Sequence, residues 1–116
     1  MGDMPYKVEV DIDPMEITAE DYGYDINFTV KKADNTALSL TGISKVKFQV
    51  VSADDSRSIL DVDCVVVEAG TGKVKYTVQN GNFNKADQFL GALELQYTTK
   101  RITTKKFFMT VKKKSA

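Results

Sequence analysis

Tyr24-Asp25-Ile26-Asn27-Phe28-Thr29-Val30-Lys31 alternates apolar and polar side chains without a break: Ile26, Phe28 and Val30 against Asp25, Asn27, Thr29 and Lys31. A period of two puts the apolar groups on one face of an extended chain and the polar groups on the other, which predicts a strand with one face in a core. The pattern recurs upstream, where Tyr6, Val8, Val10 and Ile12 alternate with Lys7, Glu9, Asp11 and Asp13. Downstream it recurs in Val46, Phe48 and Val50, in Leu60, Val62, Cys64 and Val66 around Asp61 and Asp63, and in Val74, Tyr76 and Val78. Leu93, Leu95 and Tyr97, then Phe107, Met109 and Val111, complete the set. Val, Thr and Ile, whose branched side chains suit a pleated surface, supply 30 of the 116 residues.

Between these windows lie Ala33-Asp34-Asn35, Thr41-Gly42, Ala53-Asp54-Asp55, Ala69-Gly70-Thr71-Gly72, Asn80-Gly81-Asn82 and Thr99-Lys100-Arg101. Such residues reach turn conformations cheaply or bond their own backbone. Half-buried strands joined by compact turns, with no helical window, predict an all-β fold: two antiparallel sheets in an immunoglobulin-like β-sandwich of about seven strands. A small closed barrel is the structural alternative. The Cys, Trp, Cys core of antibody domains is absent, since the chain has one Cys and no Trp. The stretch Gly81 to Gln88 reads as a loop anchored at its ends by Phe83 and Phe89.

The length fits one domain over residues 1–116: an acidic segment with the first strand at 1–23, the sandwich proper at 24–113, and a basic tail at 112–116. Lys plus Arg and Asp plus Glu both number 16, so no net field draws the chain to nucleic acid or an anionic membrane. Histidine is absent, which removes the commonest general base and metal ligand. Cys64 alone makes no intrachain disulfide. Asp3 stands where a signal peptide would carry a base, and no apolar run approaches membrane-spanning length, so neither a signal peptide nor a transmembrane segment is expected.

Chemistry-bearing patterns are few. Gly70-Thr71-Gly72-Lys73 has neither the Gly spacing nor the Ser/Thr of a phosphate loop and reads as a turn into the next strand. Asp11 with Asp13, and Asp61 with Asp63, share strand faces and offer oxygens to a cation, but two carboxylates are too few for a calcium loop, and a solvated face is the simpler reading. No enzyme activity, cofactor or metal is expected. Charge placement is more informative. Residues 1–24 hold seven acids against Lys7 alone, and residues 95–116 hold seven bases and no acid. Either the acidic and basic edges pair within the chain, or the acidic strand reaches the basic edge of a neighbouring copy and builds a ring or stack. Glu9, Asp11, Asp13, Lys105 and Lys106 are the candidate contact residues, together with Phe108, which alternation turns outward beside Phe107. Val65 and Val67 are outward in the same way.

The order of Tyr24 to Lys31, Leu40-Thr41-Gly42 leading into Val46-Lys47-Phe48, Gly72-Lys73-Val74-Lys75-Tyr76-Thr77-Val78, Leu93-Glu94-Leu95-Gln96-Tyr97 and Phe108-Met109-Thr110-Val111 resembles the N-terminal immunoglobulin-like domain of phage baseplate upper proteins, over about residues 24–113. The resemblance implies a non-catalytic tail or baseplate scaffold or adaptor in the virion, made in the host cytoplasm, with other tail or baseplate proteins as partners; a homo-oligomer through the terminal strands is what the opposed charges add. It transfers no catalytic residue. A carbohydrate- or receptor-binding sandwich module is the alternative, with Tyr22, Tyr24 and Phe83 as the aromatics outside the strands.

Overall fold

The computed structural model describes residues 8–13, 16–32, 34–54 and 57–113. Tyr6 and Lys7 of the first alternating window, Asp3, Ala33, Asp55 and the end of the basic tail from Lys114 lie outside the described residues. Among the described residues ten strands form: β1 (Glu9–Asp13), β2 (Glu16–Thr18), β3 (Asp25–Lys31), β4 (Lys45–Ser52), β5 (Ser58–Asp63), β6 (Val65–Glu68), β7 (Lys73–Thr77), β8 (Asp87–Gln96), β9 (Arg101–Thr103) and β10 (Phe107–Lys112). They make two sheets, one ordered β1-β3-β7-β6 and the other β2-β10-β8-β4-β5, with β9 beside β8. Every pairing is antiparallel except β2 with β10, which run parallel. The fold is an all-β sandwich, as the alternation predicts.

The alternating residues meet between the sheets. Ile26, Phe28, Val30, Val46, Phe48, Val50, Val74, Leu93, Leu95 and Met109 are all buried. Phe28 and Tyr76 from the first sheet close on Phe48 from the second, with ring centroids 4.9 and 5.9 Å away. Phe107 adds a ring at 6.5 Å from Phe48. The two pairs with Phe28 and Tyr76 are tilted and the one with Phe107 is stacked, and such contacts add to the burial of apolar area that drives the core.

The higher strand number has three physical causes. The window from Leu60 to Val66 is one alternating run in the sequence but two strands in space: β5 pairs with β4 in one sheet and β6 with β7 in the other. The chain changes sheets at Cys64, whose N–H donates to the Val46 carbonyl at 2.8 Å. Because the same side stays inward through the crossing, the period does not register it. The N-terminal region divides likewise into β1 on one sheet and β2 on the other. The last hairpin is broken by a shift of register: Phe107 lies opposite Gly91, whereas Thr103 lies opposite Glu94. At the break Thr104 gives its N–H to the Leu93 carbonyl at 2.9 Å and accepts the Leu93 N–H on its own hydroxyl, also at 2.9 Å. A side chain thus replaces the backbone acceptor that the irregular ladder lacks.

The segment before β8 is a loop, with the strand starting at Asp87. Tyr76 Oη and the Gln79 N–H both donate to Asn82 Oδ1, at 2.6 and 2.8 Å, and Phe83 folds inward against Phe89. Ala69–Thr71 forms one 3-10 turn, and Gly72 follows in the left-handed region at φ 71°.

Cys64 sits half-buried at the sheet crossing, where burial and then the charge of Asp63 push its thiol up to about 12. The thiolate is the reactive form. The folded protein is therefore expected to react with a thiol reagent at pH 8 roughly a hundredfold more slowly than the denatured chain, as followed by absorbance. Equal rates would show that the crossing is open.

Candidate interaction surfaces

β1 is an edge strand, and its outward residues Glu9, Asp11 and Asp13 are exposed. Asp11 forms an ion pair with Lys31 on the neighbouring strand. Among the described residues, Glu9 and Asp13 form no ion pair. The basic segment reaches the residue just before this strand through the backbone: the Lys105 N–H donates to the Val8 carbonyl at 2.8 Å. The two termini also meet where β2 lies beside β10, with Glu16 Oε1 3.1 Å from Lys112 Nζ. Part of the charge complementarity is thus satisfied within the chain. On β1, Asp11 takes Lys31 rather than a C-terminal base.

Phe108 is 67% exposed, and Phe107 turns into the core, as alternation requires of adjacent residues on one strand. Phe108 lies opposite Leu90, which lies opposite Val51, so an apolar row crosses the outer face of the second sheet. Lys105 and Lys106 are exposed just before it. The β1 acids face outward from the first sheet, so the acidic and the basic-apolar surfaces occupy opposite faces of the sandwich.

On the outer face of the first sheet, a depression of about 390 Å3 lies between the β1 acids and Val67, with Asn27, Thr29 and Lys73 in its floor. Asp25, on the same face, accepts a hydrogen bond from the Thr77 hydroxyl at 2.5 Å and lies 3.5 Å from Lys75 Nζ. The hydroxyl and then the Lys75 charge hold its carboxyl below the usual range. Val65 and Val67 are exposed on edge strand β6.

Asp61 and Asp63 face Lys47 and Lys45 at 3.3 and 3.9 Å. Among the described residues no group of three or more His, Cys, Asp or Glu is placed to hold a metal ion. The Gly70 to Lys73 stretch is the turn that leads into β7, and Gly72 itself is buried. Of the aromatics expected outside the strands, Phe83 offers no platform, because it is only 2% exposed and packs on Phe89. Tyr22 is exposed and Tyr24 half-buried. A second depression, about 360 Å3, lies at the end of the sandwich between Arg57 and Lys85. Nothing in the sequence marks it, because its walls come from separate loops that meet only when the sheets pack.

The family model described as the BppU N-terminal domain, the N-terminal domain of baseplate upper proteins, matches residues 7–115. The chain belongs to this family. The matched span takes in β1 and β2 as well as the strands that carry the sequence resemblance. The BppU family is one of phage baseplate structural proteins, which implies a virion location. Among solved structures, CopC from Methylosinus trichosporium OB3b aligns with a TM-score of 0.57 at 6% identity, covering 94% of this chain and 97% of that one. At that identity the likeness to CopC is one of fold alone. No curated protein sequence matches the chain. No helix among the described residues of this BppU domain is long and apolar enough to cross a membrane.

Proposed function

We propose that this BppU domain is a non-catalytic scaffold or adaptor of the baseplate, joining tail or baseplate proteins, including copies of itself, through protein contacts. The observation that carries the reading is the placement of two complementary surfaces on opposite faces: Glu9 and Asp13 on edge strand β1, and Lys105, Lys106 and Phe108 at β10. Surfaces so opposed meet head to tail, a heterologous contact that closes into a ring or runs on as a stack. An exposed aromatic flanked by bases supplies apolar anchoring, and the charges supply steering. Asp11 contributes less, since Lys31 already occupies it.

Light scattering over a concentration series is expected to show self-association at about 50 mM salt that weakens at about 500 mM, where screening is severalfold shorter. Phe108→Ser is expected to weaken it about tenfold or more without lowering the melting temperature, because an exposed anchor contributes to binding and little to folding. A monomer under every condition would remove the homotypic contact. Absence of the chain from purified virions, by mass spectrometry, would remove the scaffold role itself.

A further inference from the structure

We infer that the loop end of the sandwich is a second, two-fold self-docking surface, in which Tyr22 of each copy enters the cleft beneath Arg57 and Lys85 of the other. The inference rests on the scaffold reading only in taking the protein to work by contacts with its own kind. It uses none of the residues assigned to the β1 and β10 surfaces.

The cleft is lined by Arg57 and Ile59 on one side and by Phe83, Lys85, Asp87 and Phe89 on the other. Its floor is apolar, with the Phe83 and Phe89 rings 6.4 Å apart, and its rim carries two cations. Among the described residues neither Arg57 nor Lys85 forms an ion pair. The Asp87 carboxylate accepts the Gln88 N–H at 2.7 Å. An apolar base below cations that have no ion-pair partner among the described residues selects an occupant with an apolar body and flanking carboxylates.

The same molecule presents that occupant. Residues 19–23 form a turn that exposes Glu20, Asp21 and Tyr22 in succession, with Tyr22 59% exposed. Among the described residues neither acid is in an ion pair. The turn is firmly held: the Ala19 N–H donates to the Lys112 carbonyl, the Glu20 N–H to the Phe83 carbonyl and the Gly23 N–H to the Val78 carbonyl, each at 2.8 Å. A pre-ordered knob loses little freedom on binding. The bond to Phe83 also fixes the knob beside the cleft at the same end of the molecule. When one surface carries both a knob and its complementary hole, two copies satisfy both at once about a two-fold axis. Tyrosine is among the residues most often found as such an anchor.

Sedimentation equilibrium of the whole chain at about 50 mM salt, where charge contacts are least screened, tests the inference. Glu20→Lys/Asp21→Lys and Arg57→Glu/Lys85→Glu are each expected to weaken association at this end about tenfold or more, and an equimolar mixture of the two is expected to associate, since each knob then meets a cleft rim of opposite charge. Tyr22→Ala is expected to weaken it to a similar extent, about tenfold. Wild-type behaviour of all three variants, or failure of the mixture to associate, overturns the inference. Lys105→Glu/Lys106→Glu separates the two contacts. If it alone abolishes association, the loop-end dimer is wrong and the β1 to β10 contact remains. If only the loop-end variants act, the reverse holds.

Discussion

Replacing Gly72 by alanine is expected to destabilise the domain by about 3 kcal/mol, lowering the melting temperature by roughly 15 °C. Gly72 ends the 3-10 turn at φ 71°, where an L side chain crowds its own backbone. The added Cβ would also lie 2.6 Å from the Val30 carbonyl oxygen and 2.7 Å from that of Leu38. Both neighbours are backbone atoms, so no rotamer change relieves the approach. Both also belong to a connected set of hydrogen bonds: the Val30 N–H donates to the Gly72 carbonyl at 2.8 Å, and the Leu38 N–H to the Val30 carbonyl at 2.9 Å. Relief therefore has to separate β3 from the turn and from the 34–40 segment together. Urea unfolding of the purified variant measures the loss. A value below about 1 kcal/mol would mean that the approach relaxes nearly freely.

Thr104→Val is expected to cost about 1–3 kcal/mol, although it keeps the branched shape and exchanges only a hydroxyl for a methyl, because it leaves the Leu93 N–H without an acceptor inside the sandwich. Thr104 is 4% exposed, and Leu93 is fully buried. Water is poorly placed to replace the lost hydroxyl, so the unpaired donor bears its desolvation cost. Thr104→Ser keeps the oxygen and is expected to retain most of the stability, losing about the contribution of one methyl. The comparison of the two variants isolates the hydrogen bond. If serine were as damaging as valine, packing of the methyl and not the hydroxyl would hold the break between β9 and β10.

Neither position is conspicuous in the sequence. Gly72 reads there as one of several turn glycines, and Thr104 as the second of an adjacent pair of threonines in a basic region. What singles them out is the proximity of chain segments far away in sequence: Leu38 and Val30 for the glycine, Leu93 across the hairpin for the threonine. The candidate surfaces divide in the same way. The outward aim of Phe108, Val65 and Val67 is legible from alternation, since neighbouring residues on a strand must face opposite ways. The opposed charges of the termini are legible too. Which acids remain without an internal partner is not: Asp11 takes Lys31 and Glu16 takes Lys112, while Glu9 and Asp13 take none among the described residues. The cleft under Arg57 and Lys85 carries no sequence signal, and Phe83, a loop aromatic, proves to be core.

The period of two by itself determined that this chain is all β, where most of its strands lie and which side chains face inward, because side-chain direction along an extended backbone is a local property of each residue. Composition, in turn, removed histidine chemistry, since the chain has no such residue. Tertiary structure alone decided which sheet each strand joins: that the run from Leu60 to Val66 changes sheets at Cys64, and that the acidic N-terminal region divides between β1 and β2. The reason is physical. A strand offers the same N–H and C=O groups to any neighbour, and its inward face is apolar whichever sheet it completes, so partner choice is settled only when the whole core closes.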